Sequence, residues 1–212
     1  MKMGKIITLA LCMMIVSVSA AFAESSYLSF KGGVFFPNAE TDGLNDFKNG
    51  YNFEVAYGVK IHPNLALEVG TGYYESEIKD EFTNTYLDAF GTPYTVTPTV
   101  SAVPILVTLK VVAPLGPAAE IYAGAGGGYY YTMLENRVKD LNGATVGTDE
   151  SYSASALGYH FVGGVDFNVS PQLSIGGELK YFNVKPSYDV SGHSRQVQFG
   201  GTTANAVVKV KF

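Results

Sequence analysis

Tyr51-Asn52-Phe53-Glu54-Val55-Ala56-Tyr57-Gly58-Val59-Lys60-Ile61 alternates without a fault. Tyr51, Phe53, Val55, Tyr57, Val59 and Ile61 take one side, and polar or small residues take the other. A period of two puts each set on its own face of a β-strand, whereas a helix would scatter both around its axis. The segment is therefore a strand with one apolar and one polar face.

The same rule recurs at 28–36, 65–73, 103–111, 121–129, 159–167, 173–181 and 204–212. The predicted strands run to roughly 9–14 residues, the length that crosses a bilayer at a tilt. Connections alternate between short (62–64, 114–118, 170–172) and long (about 37–50, 79–100, 135–152, 183–196). That spacing predicts an up-and-down meander of antiparallel strands. The stretch 58–70 around Pro63 weakly repeats at 166–178 around Pro171, because similar hairpins use similar turns.

Composition agrees. The chain has 47% hydrophobic residues and 28 Tyr plus Phe, too many for disorder. A pI near 5.2 argues against a nucleic-acid partner, which needs a basic surface. Past residue 23 no run of 18 uncharged apolar residues occurs, so the mature chain has no helical span.

Residues 1–23 read as an address. Lys2 and Lys5 precede an apolar run at 6–18, and Ala21-Phe22-Ala23 is an A-x-A cleavage signal. The expected division is a signal peptide at 1–23 and a barrel domain at 24–212. The single cysteine, Cys12, lies in the leader. Leu11 before it is too large for a lipoprotein site, so no anchor and no disulfide framework is expected.

The charges decide between a soluble barrel and a membrane barrel. Outside the long connections the acids are Glu24, Glu54, Glu68, Glu120, Asp166 and Glu178, and the bases are Lys31, Lys60, Lys110, Lys180, Lys209 and Lys211. All but Glu24, at the mature start, occupy polar strand faces. An apolar exterior around a charged interior inverts a soluble barrel and needs lipid to cover it. Closure leaves no unpaired edge in hydrocarbon. The expected class is all-β: an eight-stranded antiparallel up-and-down transmembrane β-barrel. Its interior is just wide enough to be filled by side chains. Lys31, Glu54, Lys60, Glu68, Lys110, Glu120, Asp166, Glu178, Lys180 and Lys209 are expected to form a lumenal charge network, with Glu68 and Lys60 as one diagonal pair. Phe35, Phe36, Tyr51, Tyr73, Tyr74, Tyr129, Tyr130, Tyr131, Tyr181 and Phe182 lie near strand ends, as interfacial girdles do.

The ending Ala206-Val207-Val208-Lys209-Val210-Lys211-Phe212 resembles the assembly signal of bacterial outer-membrane barrels, with Val208, Val210 and Phe212 as its apolar positions. Ser101-Ala102-Val103-Pro104-Ile105-Leu106-Val107-Thr108-Leu109-Lys110 and Ile121-Tyr122-Ala123-Gly124-Ala125-Gly126-Gly127-Gly128-Tyr129 look like the fourth and fifth strands of small barrels. That group includes the OmpA membrane domain, OmpX, the opacity proteins and OmpW. The resemblance implies a Gram-negative outer membrane, contact with its lipid and lipopolysaccharide, insertion by the barrel-assembly machinery, and a monomer.

Other chemistry is thinly represented. The lipid A deacylases carry Ser two residues after a strand His, but Val162 stands there after His160. Ser153 and Ser155 lack a base with an orienting partner. No catalytic residue, metal site or cofactor is expected. The acidic run Glu75, Glu77, Asp80 and Glu81 lacks the spacing of a calcium loop. Residues 124–128 are Gly-rich, but no Lys or helix start follows as a phosphate loop requires.

Two readings remain. In the first, Phe35, Tyr74, Leu106, Tyr122, Tyr130, Val162 and Phe182 line an apolar pocket, and Pro98 and Pro104 loosen the wall. The barrel is then a narrow pore or binding site for small apolar solutes, as OmpW-like barrels are. In the second, the lumen is closed and salt-bridged, and the barrel is structural or adhesive, acting through its extracellular loops.

Overall fold

The computed structural model describes residues 26–38, 46–79, 84–87, 93–140, 145–190, 193–196 and 198–212. The leader 1–23, with Cys12 and the cleavage signal, lies outside these residues, as do Glu24, Asp80 and Glu81.

The elements are β1 (Ser26–Pro37), β2 (Gly50–His62), β3 (Leu65–Glu77), β4 (Asn84–Leu87), β5 (Pro93–Pro114), β6 (Ala119–Lys139), β7 (Thr145–Asn168), β8 (Leu173–Val184), β9 (Ser187–Val190), β10 (His193–Gln196) and β11 (Phe199–Lys211). Eight of them close a ring in the order β3-β2-β1-β11-β8-β7-β6-β5, with β5 returning to β3. Each neighbour is antiparallel, as the alternating turn lengths predict.

Two expectations about length are corrected. The strands are not uniform: β5, β6 and β7 reach 22, 21 and 24 residues. The long connections are also not plain loops. The second carries β4 against β5, and the fourth carries the hairpin β9–β10. A polar strand beyond the bilayer has no lipid side to keep apolar, so the alternation that marks a membrane strand fades while backbone pairing continues.

Alternation sorts the side chains as expected. Phe53, Val107, Leu109, Ile121, Phe161, Leu179 and Val208 are exposed on the outer face. Tyr51, Tyr129, Tyr131 and Tyr159 are exposed above them, at the depth where amphipathic rings meet headgroups. The aromatic girdle is smaller than the sequence suggests. Phe35, Tyr74, Tyr130 and Phe182 belong to the opposite parity and are fully buried inside.

Inward glycines make room for those large residues. A Cβ on Gly126 would lie 2.6 Å from Nε2 of His160 and 2.1 Å from the Val107 carbonyl oxygen. A Cβ on Gly164 would meet the Tyr122 ring, and one on Gly58 the Tyr27 ring. The Gly-rich run at 124–128 is thus a packing device of the barrel wall.

Candidate functional site

The lumen is filled in layers. On the side of the long connections, Phe35, Tyr74, Leu106, Tyr130, Phe182 and Phe199 pack into one cluster with Val100, Ala102 and Val184. Phe182 is its hub. Its ring lies 5.5 Å from Phe35, 5.0 Å from Tyr74, 5.6 Å from Tyr130 and 5.6 Å from Phe199. Above it, the Tyr188 hydroxyl donates to Thr132 Oγ1 at 2.7 Å, and the Thr132 hydroxyl donates to the Ala154 carbonyl at 3.0 Å. β9 itself therefore brings a further aromatic residue, Tyr188, to this end of the lumen.

Below the aromatic layer lie three carboxylates and three lysines. Glu178 receives Lys31 and Lys110, each at 3.0 Å, and the Tyr122 hydroxyl at 3.1 Å. Glu68 receives Lys110 at 2.8 Å, Lys31 at 3.2 Å and the Tyr27 hydroxyl at 2.9 Å. Glu54 is paired with Lys180 and also accepts from the Tyr74 hydroxyl. This last contact joins the charged layer to the aromatic one. All six charged side chains are 3% exposed or less. Burying any one alone would be costly, and mutual pairing with full hydrogen bonding is what makes the set tolerable.

A second charged group lies toward the short turns. Lys209 pairs with Asp166 and reaches Glu120 at 3.4 Å, while Lys60 holds Glu120 at 3.0 Å. The expected pair of Glu68 with Lys60 is not formed. Lys60 reaches Glu120 on β6 instead, and Glu68 is taken by lysines from β1 and β5. In a closed ring of eight strands, a long side chain crosses the lumen as readily as it leans along its own hairpin.

The candidate pocket residues divide. Phe35, Tyr74, Leu106, Tyr130 and Phe182 come together in the aromatic layer. Tyr122 does not join them. It packs with Tyr27, Ala66 and Val112 in a separate cluster, under the Lys110 ammonium at 4.2 Å. Val162 is buried on β7 opposite Lys180 and Gly124, outside both clusters.

Pro104 lies in β5 opposite Tyr130 of β6. On its other side the β3–β5 ladder runs from Leu65–Val111 to Thr71–Ile105 and resumes at Tyr74–Ala102, leaving out the Gly72 and Tyr73 positions. Proline has no N–H to give there. The Thr71 hydroxyl donates to the Pro104 carbonyl at 2.7 Å and partly bridges the gap. Pro98 pairs with Asn136, and its carbonyl accepts the Ile78 amide at 2.9 Å.

One arrangement escaped the sequence reading. Above the tyrosine collar, on the outer face, Arg137 of β6 reaches across β5 to Glu75 of β3 through two hydrogen bonds of 2.8 and 3.0 Å. Lys139 holds Glu77 at 2.8 Å, and Lys48 approaches the same carboxylate at 3.5 Å. Burial alone would raise the Glu75 carboxyl, but the Arg137 guanidinium and the Tyr73 hydroxyl outweigh it and hold it below its ordinary value. The signal was available: Arg137 and Lys139 continue the parity of Tyr129 and Tyr131.

Catalytic groupings fare differently. His160 faces the lumen, its Nε2 at 2.8 Å from Thr108 Oγ1. Ser153 and Ser155 are exposed, on the opposite parity of β7. His62 caps the Asn64 amide in a short turn. Among the described residues no three His, Cys, Asp or Glu side chains stand close enough to hold a metal ion.

A closed antiparallel ring with an apolar, tyrosine-collared exterior and a salt-bridged interior defines an integral outer-membrane β-barrel. The chain belongs to the outer membrane protein beta-barrel domain family, whose model matches residues 8–212. The fold is similar to that of Neisserial surface protein A, at 14% identity over 88% of this chain and 96% of that one, with a TM-score of 0.54. It is also similar to a major outer membrane protein from Thermus thermophilus, at 15% identity over 88% of this chain and 99% of that one, with a TM-score of 0.53. No curated protein sequence matches the chain. Its place is the cell outer membrane, among lipid and lipopolysaccharide.

Proposed function

We propose that this barrel is a closed, non-enzymatic scaffold that acts through the part standing outside the membrane. One observation carries the reading. Tyr74, Tyr130, Phe35 and Phe182 are fully buried across the lumen, directly above six interlocked charges. A solute would have to displace both layers. The working surface is then the sheet of β4, β5, β6 and β7 that rises beyond the ring. Above Gly158, β7 pairs only with β6 among the described residues, and β9 packs beside it.

The rest of the proposal concerns biogenesis. A precursor loses residues 1–23, and the assembly machinery reads Val208, Val210 and Phe212 before inserting a monomer.

Planar-bilayer recording of the refolded mature protein tests the closed lumen. Heat-modifiable, folded protein is expected to give no stable single-channel steps. Steps in the wild type would overturn the reading.

A second reading has its own support. The interrupted β3–β5 ladder at Pro104 is a weak seam beside the aromatic layer, suited to sideways entry of small apolar solutes as in OmpW-like barrels. Uptake of an apolar dye into proteoliposomes, lost in Pro104→Ala, would replace the first reading with this one.

A further inference from the structure

β8 and β11 pair as far as Val184–Phe199, and Gly158 of β7 holds Val184 from the other side. Between Val184 and Phe199 the chain makes a second ladder, from Ser187–Gln196 to Val190–His193. The two ladders are not continuous. Pro186 stands in the break, and without an N–H it cannot carry a ladder through.

The residues past the ring alternate again. Pro186, Tyr188 and Val190 are buried, while Lys185, Ser187 and Asp189 are exposed. β9 packs beside β7, yet among the described residues its backbone pairs only with β10. What ties it down is its buried face and one hydrogen bond, from the Tyr188 hydroxyl to Thr132 Oγ1 at 2.7 Å. Thr132 is fully buried and lies in register between Ala102 of the aromatic cluster and Ala154 of β7.

A two-stranded ribbon with strands of four residues is not stable by itself. This one keeps its shape only while docked. A small unit held by few contacts on a rigid ring opens locally while the rest stays folded. We infer that β9 and β10 form a lid, hinged at Lys185-Pro186 and latched by Tyr188 on Thr132, whose release uncovers the aromatic layer to the medium outside the membrane. The charged layer below stays in place, so an open lid presents an aromatic surface without opening a channel. The inference goes beyond the scaffold reading and fails separately from it, because conductance and lid opening are read by different measurements.

The test is thiol accessibility in the refolded chain 24–212, which carries no cysteine of its own. Ala154→Cys places a thiol on the buried face of β7 beside the lid, and Thr108→Cys places one below the aromatic layer. Each reacts in micelles with a small, charged methanethiosulfonate reagent. Slow labelling is expected at both positions. Adding Tyr188→Phe should speed labelling of Ala154→Cys by about fivefold, the loss of one neutral hydrogen bond. Adding Tyr188→Ala should speed it by about thirtyfold, since the buried ring is lost as well. Thr108→Cys should stay slow in every background. Fast labelling of Ala154→Cys with Tyr188 intact, or an unchanged rate in the Tyr188 variants, overturns the lid. An equal rise at Thr108→Cys also overturns it, since the whole barrel has then loosened. Should Ala154→Cys fail to fold, Ala102→Cys is read in its place, with the same rises expected and unchanged rates again overturning the inference.

Discussion

Glu178 and Glu77 are both glutamates held by lysines, yet they sit in two different solvents. Around Glu178 three lysines converge inside the ring, and its side chain is fully buried. Around Glu77 two lysines meet on the outer rim, where its side chain is 26% exposed and Lys48 is 40% exposed. Water can replace a lost partner on the rim and cannot do so in the lumen. The same chemistry therefore fixes the barrel in one place and decorates it in the other.

The largest effect should come from breaking the lumenal set. Glu178→Gln leaves Lys31, Lys110 and Lys180 crowded around one fewer charge. Unfolding in urea, followed by far-UV circular dichroism in micelles, should show a loss of about 3–5 kcal/mol. Replacing a whole pair, Glu54→Leu with Lys180→Met, should cost less than Glu54→Leu alone, since no ammonium is then stranded. Equal or greater loss in the double variant would mean that burial, and not pairing, dominates there.

Next in size is the aromatic layer. Phe182→Ala removes the hub of the cluster and should destabilise by about 3 kcal/mol. Bilayer recordings of this variant should stay silent, because the charged layer below still fills the lumen. Gly126→Ala should cost about 1–3 kcal/mol, as its methyl meets the Val107 carbonyl and His160.

The rim should yield least. Arg137→Gln should lose about 1 kcal/mol or less in the same unfolding assay, and the difference should vanish in high salt. Its pH dependence has a defined sign. The folded Glu75 carboxyl lies below its unfolded value, so its contribution is present above the unfolded value and fades as pH falls through the lower, folded one. Arg137→Gln should flatten that acid limb. An unchanged limb would assign it to other carboxylates.

How far the sequence could be read follows from the same contrast. Inside the bilayer the lipid enforces parity, so the ring and its order are legible from alternation alone. Partner choice was not. Lys60 finds Glu120 and not Glu68 because the ring's curvature brings distant strands together, and no spacing along one hairpin encodes that. Tyr122 carries the right parity for the aromatic layer but lies at the wrong height, among lysines. Parity gives the face, while depth depends on strand stagger. Beyond the bilayer the constraint lapses, and the tall ends of β5, β6 and β7, with β4, β9 and β10, were read as loops.

One seam has a consequence for how the protein forms. Eleven residue pairs join β1 to β11, from Tyr27–Lys211 to Pro37–Gly201. Lys31, on the first strand, finds Glu178 at a separation of 147 residues. Neither the wall nor its internal neutralisation can finish until the last strand has arrived. The chain must therefore wait with both ends open, and assembly becomes a single late event limited by long-range closure. A polypeptide stopped before β11 has no smaller barrel to settle into. It keeps two bare edges and an Asp166 carboxylate whose Lys209 is missing, which are marks by which an unfinished copy differs from a finished one.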